Sequence, residues 1–327
     1  MSSRRRFLSL LSAAAGWQAF CNASSAQTYP SRPIKLIVPF PPGGVNDTVA
    51  RPWAEKMRDR LGSIIIENIG GAGGAVGATA AARAAPDGYT LLFSPEGTLL
   101  VTPVASKRPT YDWRSFEPIA ILVKSAVGFV VHPSAPFRTL KEAAAFAKAK
   151  PDGLSYATAG VGTSNHLVGE LFKSLAGAPD IVHVPYRGAG PALNDLVAGQ
   201  VKFGTVVVTG NVLALHRAKR LQLIAVSSRT RLQAEPDVPT AVEQGFADLI
   251  WDGFHGAFAP AKTDAKTVGR LAEASHAVMA EKGFQKFLLD SGLEPEPDST
   301  PEEAQRIIAG EIERWTPVIK GIGLQLE

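Results

Sequence analysis

Two short stretches carry the residue types and spacing that could bind a ligand. In the first, Pro41-Pro42-Gly43-Gly44 is followed by Asn46, Asp47 and Thr48; in the second, Gly160-Val161-Gly162 is followed by Thr163, Ser164, Asn165 and His166. In both, a glycine loop runs into residues that favour helix N-termini, where free backbone N–H groups and the positive end of the helix dipole attract anions. A third run, 70–77, holds five glycines. Its spacing departs from the G-x-G-x-x-G of dinucleotide sites, and no acid stands at a clear strand end about 20 residues on. No Gly-Lys-Ser or Gly-Lys-Thr triplet is present, which excludes a phosphate-binding P-loop.

Catalysis would need a nucleophile with its base, or a placed acid and base, and neither G-x-S-x-G nor H-E-x-x-H occurs. The six histidines are scattered, with none four residues from another, so the sequence argues against a metal site. Cofactor, catalytic residues and metal are therefore all expected to be absent. The rival enzyme reading, an exported dinucleotide-dependent oxidoreductase, rests on the glycine run together with a twin-arginine-like leader, a route for folded and often cofactor-loaded proteins.

The elements that must position these loops follow from periodicity. Residues 34–38 are apolar and β-branched, as suits a buried strand, and Val49, Trp53 and Met57 then repeat at a helical spacing. Pro52 should kink that helix or set its first turn apart. A strand at 64–67, a helix at 78–85 and a strand at 89–93 complete a βαβαβ unit, hence a parallel sheet with helical cover. The apolar run 116–132 is too long for one ordinary strand and is expected to cross between two domains near Ser125. Beyond it come a helix at 140–148 and a strand at 154–157. Leu167, Leu171 and Leu175 lie on one face behind the second loop. Strands at 181–185, 201–208 and 221–226 give a second α/β unit, and 249–258 crosses back.

The chain of 327 residues is 45% hydrophobic and 20% charged, enough for about two cores. Its net charge of +4 owes three units to Arg4, Arg5 and Arg6, leaving 31 basic against 30 acidic residues elsewhere, so nucleic acid is not an expected partner. Those arginines, the apolar stretch 7–15 and the small residues Ser24-Ser25-Ala26 read as a cleavable export signal over 1–26, twin-arginine or general secretory. Cleavage after Ala26 would remove Cys21, the chain's one cysteine.

Six segments in order, P-F-P-P-G-G-V-N-D-T-V-A-R, G-A-G-G, P-D-G-Y-T-L-L, G-V-G-T-S-N-H-L-V-G-E-L-F, H-V-P-Y-R-G-A-G-P-A-L-N-D-L-V-A-G-Q-V and P-D-V-P-T-A-V-E-Q-G-F, resemble the solute-binding receptors of tripartite tricarboxylate transporters, the Bug family. The resemblance spans essentially the whole chain after the leader. It implies an α/β, two-lobed periplasmic binding protein (a Venus flytrap), each lobe a mainly parallel sheet with helices on both faces, joined by a two-strand hinge. Lobe 1 would comprise 27–125 and 252–327, and lobe 2 126–251. It implies a monomer that holds a small carboxylate by backbone amides and waters and delivers it to a membrane permease, or presents it to a sensor kinase. Matched to this sequence, the ligand contacts would be Phe40, Gly43, Gly44, Asn46, Asp47, Gly73, Gly74, Ser94 and Thr98 from lobe 1, and Thr158, Gly160, Thr163, Ser164, His166, Tyr186 and Thr209 from lobe 2. Asp47 and Ser164 also suit helix capping, and His166 suits packing in a first turn. Arg187 is a loop arginine, read as solvated. Ile69-Gly70-Gly71 replaces the family's Arg-Pro, and 204–211 lacks its phenylalanine-aspartate pair, so the resemblance does not fix which carboxylate is bound.

Overall fold

The computed structural model describes residues 29–150 and 153–326 of the chain, so the expected export signal, with Cys21 and the cleavage site after Ala26, lies outside them. Residues from Arg32 onward form the unit that carries the fold. Its strands are β1 (Ile34–Val38), β2 (Ile64–Asn68), β3 (Thr90–Pro95), β4 (Phe116–Val131), β5 (Ser155–Thr158), β6 (Val182–Pro185), β7 (Phe203–Val207), β8 (Gln222–Val226), β9 (Asp252–Pro260) and β10 (Glu294–Pro295). Its helices are α1 (Val45–Leu61), α2 (Ala75–Ala82), α3 (Glu96–Leu99), α4 (Val101–Ala105), α5 (Leu140–Ala149), α6 (Ser164–Ala176), α7 (Ala189–Val197), α8 (Gly210–Arg217), α9 (Ala265–Met279), α10 (Lys282–Asp290) and α11 (Pro301–Gly321).

Two ladders meet along β4. In the first, β2, β1 and β3 are parallel neighbours, as short βα units require, and β9 then runs antiparallel to β3. In the second, β6, β5 and β7 are parallel neighbours. Each sheet is thus parallel among its βα units and antiparallel where β4 and β9 pass, a more mixed arrangement than the sequence suggests. The reason is β4 itself, which pairs with β9 as far as Ala126↔Asp252, then with β7 from Val127↔Val207 and with β8 from Gly128↔Val226. One strand of 16 residues therefore belongs to both ladders.

Pro52 does not break α1, which runs unbroken for 17 residues. A proline in the second turn deletes one hydrogen bond, and buried Val49, Trp53 and Met57 hold the helix against β1 and α9. The second glycine run forms a 3-10 turn, Ala72–Gly74, before α2 starts at Ala75, three residues earlier than expected.

The C-terminal helix α11 spans two cores. Thr300 caps it and Pro301 sits at its start, where the missing N–H is harmless. Ala304 and Ile308 join Leu92, Phe116 and Phe258 in one cluster; Trp315 and Ile319 join Phe129, Phe172 and Trp251 in another. Trp251 and Trp315 meet with ring centroids 4.7 Å apart. Between the two halves, Thr316 Oγ1 donates to the Ile312 carbonyl at 2.7 Å and Pro317 has no N–H to give.

Candidate functional site

The first loop is shaped by Asp47. Its carboxylate accepts the Gly43 N–H at 3.2 Å, both Arg51 donors (2.6 and 3.2 Å) and Asn68 Nδ2 at 3.3 Å. Burial would push this carboxyl up, but Arg51, the Gly43 N–H and Asn68 together hold it below the usual carboxylate range. Asp47 thus braces the loop from behind, and Gly43 turns with φ +83°, where a side chain is strained. Gly44 ends the loop as the N-cap of α1, without a side-chain cap. Among the described residues, the N–H groups of Val45 and Asn46 are left without a partner.

The second loop is built likewise. Thr163 caps α6 by accepting the His166 N–H and donates its own hydroxyl to the Gly160 carbonyl at 2.7 Å, leaving the Ser164 and Asn165 N–H groups unpaired among the described residues. Two more helices begin at the same place. Gly188 opens α7 without a side-chain cap, and Thr209 caps α8 through the Val212 N–H.

These four N-termini surround one cavity of about 660 Å³. Of the sixteen residues expected at the site, Phe40, Gly43, Gly44, Asn46, Gly73, Thr98, Thr163, Ser164 and Thr209 line it. Asp47, Gly74, Ser94, Thr158, Gly160, His166 and Tyr186 do not. They support the wall instead of forming it. A Cβ on Gly74 would lie 2.4 Å from Thr98 Oγ1, which itself donates to the Gly73 carbonyl. Ser94 is buried in β3, its hydroxyl donating to the Pro95 carbonyl. Thr158 accepts the Gly160 N–H, His166 accepts the Gly162 N–H, and Tyr186 turns its hydroxyl to Asp195 at 2.7 Å.

Several lining residues escape the sequence reading. Arg187, read there as a solvated loop residue, stands on the cavity wall, and Asp290 comes from the end of α10. His255 on β9 donates from Nδ1 to Asn46 Oδ1 at 2.8 Å and accepts the Ser125 hydroxyl at Nε2, 3.2 Å, linking both long strands to the first loop. Burial pushes this imidazole down to about 4, so it is neutral at ordinary pH. Glu96 also lines the cavity, with both carboxylate oxygens buried and neither in a well-formed hydrogen bond. Burial, then the Glu311 carboxylate, holds it well above the carboxylate range, against smaller opposing effects of the Phe254 N–H and Arg314. Nothing in the sequence marks Glu96 or His255, because neither lies in a glycine loop.

Among the described residues, no cluster of three or more metal-ligating side chains occurs and no helix is long and apolar enough to cross a membrane. Two ladders sharing long strands, with glycine loops and helix N-termini converging on one cavity, define a two-lobed solute-binding protein. Residues 49–324 match the tripartite tricarboxylate transporter family receptor, and the chain belongs to that family. It is 34% identical over 307 residues to the protein BugT of Bordetella pertussis, covering 93% of this chain and 93% of that one. Among solved structures, the periplasmic binding protein BugD superposes with a TM-score of 0.82 at 33% identity, covering 91% of this chain and all of BugD. MatC from Rhodopseudomonas palustris, with bound malate, gives 0.81 at 32% identity, covering 89% of this chain and all of MatC. The fold is thus the two-lobed α/β architecture of these binding proteins, and the chain is a receptor, not an enzyme.

Proposed function

We propose that this protein captures a small carboxylate, such as a dicarboxylate or an amino-acid-like or aromatic acid, and delivers it to a membrane permease. The observation that carries the reading is the convergence of four helix N-termini, of α1, α6, α7 and α8, on one cavity, with the N–H groups of Val45, Asn46, Ser164 and Asn165 unpaired among the described residues. Charge-assisted hydrogen bonds to such groups contribute about 1.5–3 kcal/mol each, so two or three per carboxylate are enough for micromolar binding after the cost of association. Malate bound in MatC supports the class of ligand. A periplasmic location and export by the leader fit the same family, as does action as a monomer.

In this reading the lobes are 27–125 with 252–327, and 126–251, closing about β4 and β9 near Ser125 and Asp252. Calorimetric and thermal-shift screening of dicarboxylates, amino acids and aromatic acids against neutral sugars and polyamines tests it. A response to at least one carboxylate is expected, with Gly43→Pro abolishing it because the loop loses both the N–H that Asp47 holds and its positive φ. A sugar or polyamine response with no carboxylate response overturns the reading.

A further inference from the structure

Behind the second loop, His166 and His183 stack with ring centroids 4.0 Å apart and planes 11° from parallel, and Tyr156 stacks on His183 at 4.9 Å. Both imidazoles hydrogen-bond to the loop or its base. The Gly162 N–H donates to His166 Nδ1 at 3.3 Å, so that nitrogen carries a lone pair and the ring proton sits on Nε2, 4.0 Å from Glu170 Oε1. Thr158, fully buried, accepts the Gly160 N–H on Oγ1 at 3.1 Å and shares a second hydrogen bond with His183 Nε2 at 2.7 Å. Gly162 is therefore held directly by an imidazole lone pair, and Gly160 through Thr158, which is itself tied to an imidazole. The held segment includes Gly162, Thr163 and Ser164 of the cavity wall.

The geometry points to His166 and His183 as positioning residues for ligand binding: two stacked neutral imidazoles that fix the 158–163 loop, and through which acid releases the ligand. Protonation of His166 turns Nδ1 into a donor facing the Gly162 N–H, and protonation of His183 places a charge against the stacked His166 ring. A charge on either ring also disfavours a second charge on its stacked neighbour. The other ionisable groups facing the stack are few. Glu170 on α6 accepts the Tyr156 hydroxyl of β5 at 2.5 Å and pairs with Lys173 at 3.1 Å; from the C-terminal segment the apolar Leu326 approaches Gly162. Burial lowers His166, with Glu170 opposing and Lys173 assisting, and burial with His166 and Lys173 lowers His183 to about 3. Both folded values are depressed, so the arrangement holds at neutral pH and is lost as pH falls through the lowered value of His166.

The ligand half of this inference rests on the carboxylate reading, and the loop half does not. Imidazole nitrogen NMR of the full chain, titrated from pH 7.5 to 4.5, is expected to show His166 neutral at pH 7.5 with its proton on Nε2, and the Gly162 amide shifting with the His166 titration. Calorimetry with malate then compares the wild type with His166→Asn, whose amide oxygen can replace Nδ1 as acceptor without titrating. Malate's own protonation is common to both proteins. The wild-type to variant affinity ratio should therefore fall at least tenfold between pH 7.5 and 4.5, and His166→Ala should weaken binding across the range. A charged His166 at pH 7.5, a proton on Nδ1, a Gly162 amide that does not move with it, or a constant affinity ratio overturns the inference. Should malate fail to bind at any pH, that result counts against malate as ligand, and the Gly162 and His166 titration alone decides the loop half.

Discussion

The carboxylates of Asp47 and Glu96 have opposite fates, and each predicts a pH dependence. Asp47, held by Arg51, Gly43 and Asn68, has a folded value below its unfolded one. Its stabilisation is present above the ordinary carboxylate range and is lost as pH falls through the lowered value. Asp47→Ala should therefore cost about 2 kcal/mol at pH 7, a cost that shrinks as pH falls below the ordinary carboxylate range, as measured by urea denaturation. Glu96 is the reverse case. Its folded value is raised, so acid favours the folded state, and the contribution is lost as pH rises through that raised value. Glu96→Gln should stabilise the protein at pH 8 relative to wild type by about 1–3 kcal/mol and lose that advantage at pH 4; an equal effect at both pH values would show that the Glu96 proton plays no part. The sequence shows Asp47 as a polar residue at a helix start, which it is. That it grips Gly43 in place of capping α1 depends on where Arg51 and Asn68 stand, and Asn68 comes from another strand.

Among the elements, the glycine loops were legible because their conformations are local. Gly43, Gly73, Gly74, Gly160 and Gly162 all have positive φ, and each precedes a helix within a few residues. Close approach adds to this at Gly74. Gly74→Ala should lose about 2–4 kcal/mol, combining left-handed strain with a clash at Thr98, and should weaken ligand binding through the displaced Thr98. Gly269→Ala, in α9 with open space around its Cβ position, should instead gain about 0.5–1 kcal/mol; chemical denaturation of the two variants side by side checks both signs. What periodicity could not reveal is which loop atoms face the cavity. Gly160 and Thr158 belong to the right loop and point away from it, because the Gly160 N–H is taken by Thr158 and a Cβ on Gly160 would lie 3.0 Å from the Tyr186 carbonyl.

At the scale of the molecule, the long apolar run after Phe116 signals a strand shared by two sheets, since no single sheet needs 16 residues of strand. The role of α11 is not legible in the same way. Trp315 looks like any apolar position of an amphipathic helix, and its neighbours Trp251, Phe129 and Phe172 are far away in sequence. Trp315→Ala should cost about 3–5 kcal/mol and broaden or split the thermal transition, because it removes the contact that joins the second core to the helix rooted in the first. A calorimetric scan with one sharp transition of unchanged midpoint would show that Trp315 does not couple the cores.

The shared helix also bears on how such receptors could be recombined. Moving the second wall of the cavity into another scaffold looks like a matter of transplanting one contiguous stretch between the two long strands. The core under that wall, however, draws Val101 and Ala105 from α4 and Trp315 and Ile319 from α11 as well. A graft that carries the loops without those two outlying pieces would leave holes beneath them, so the unit of exchange is three segments of chain, not one.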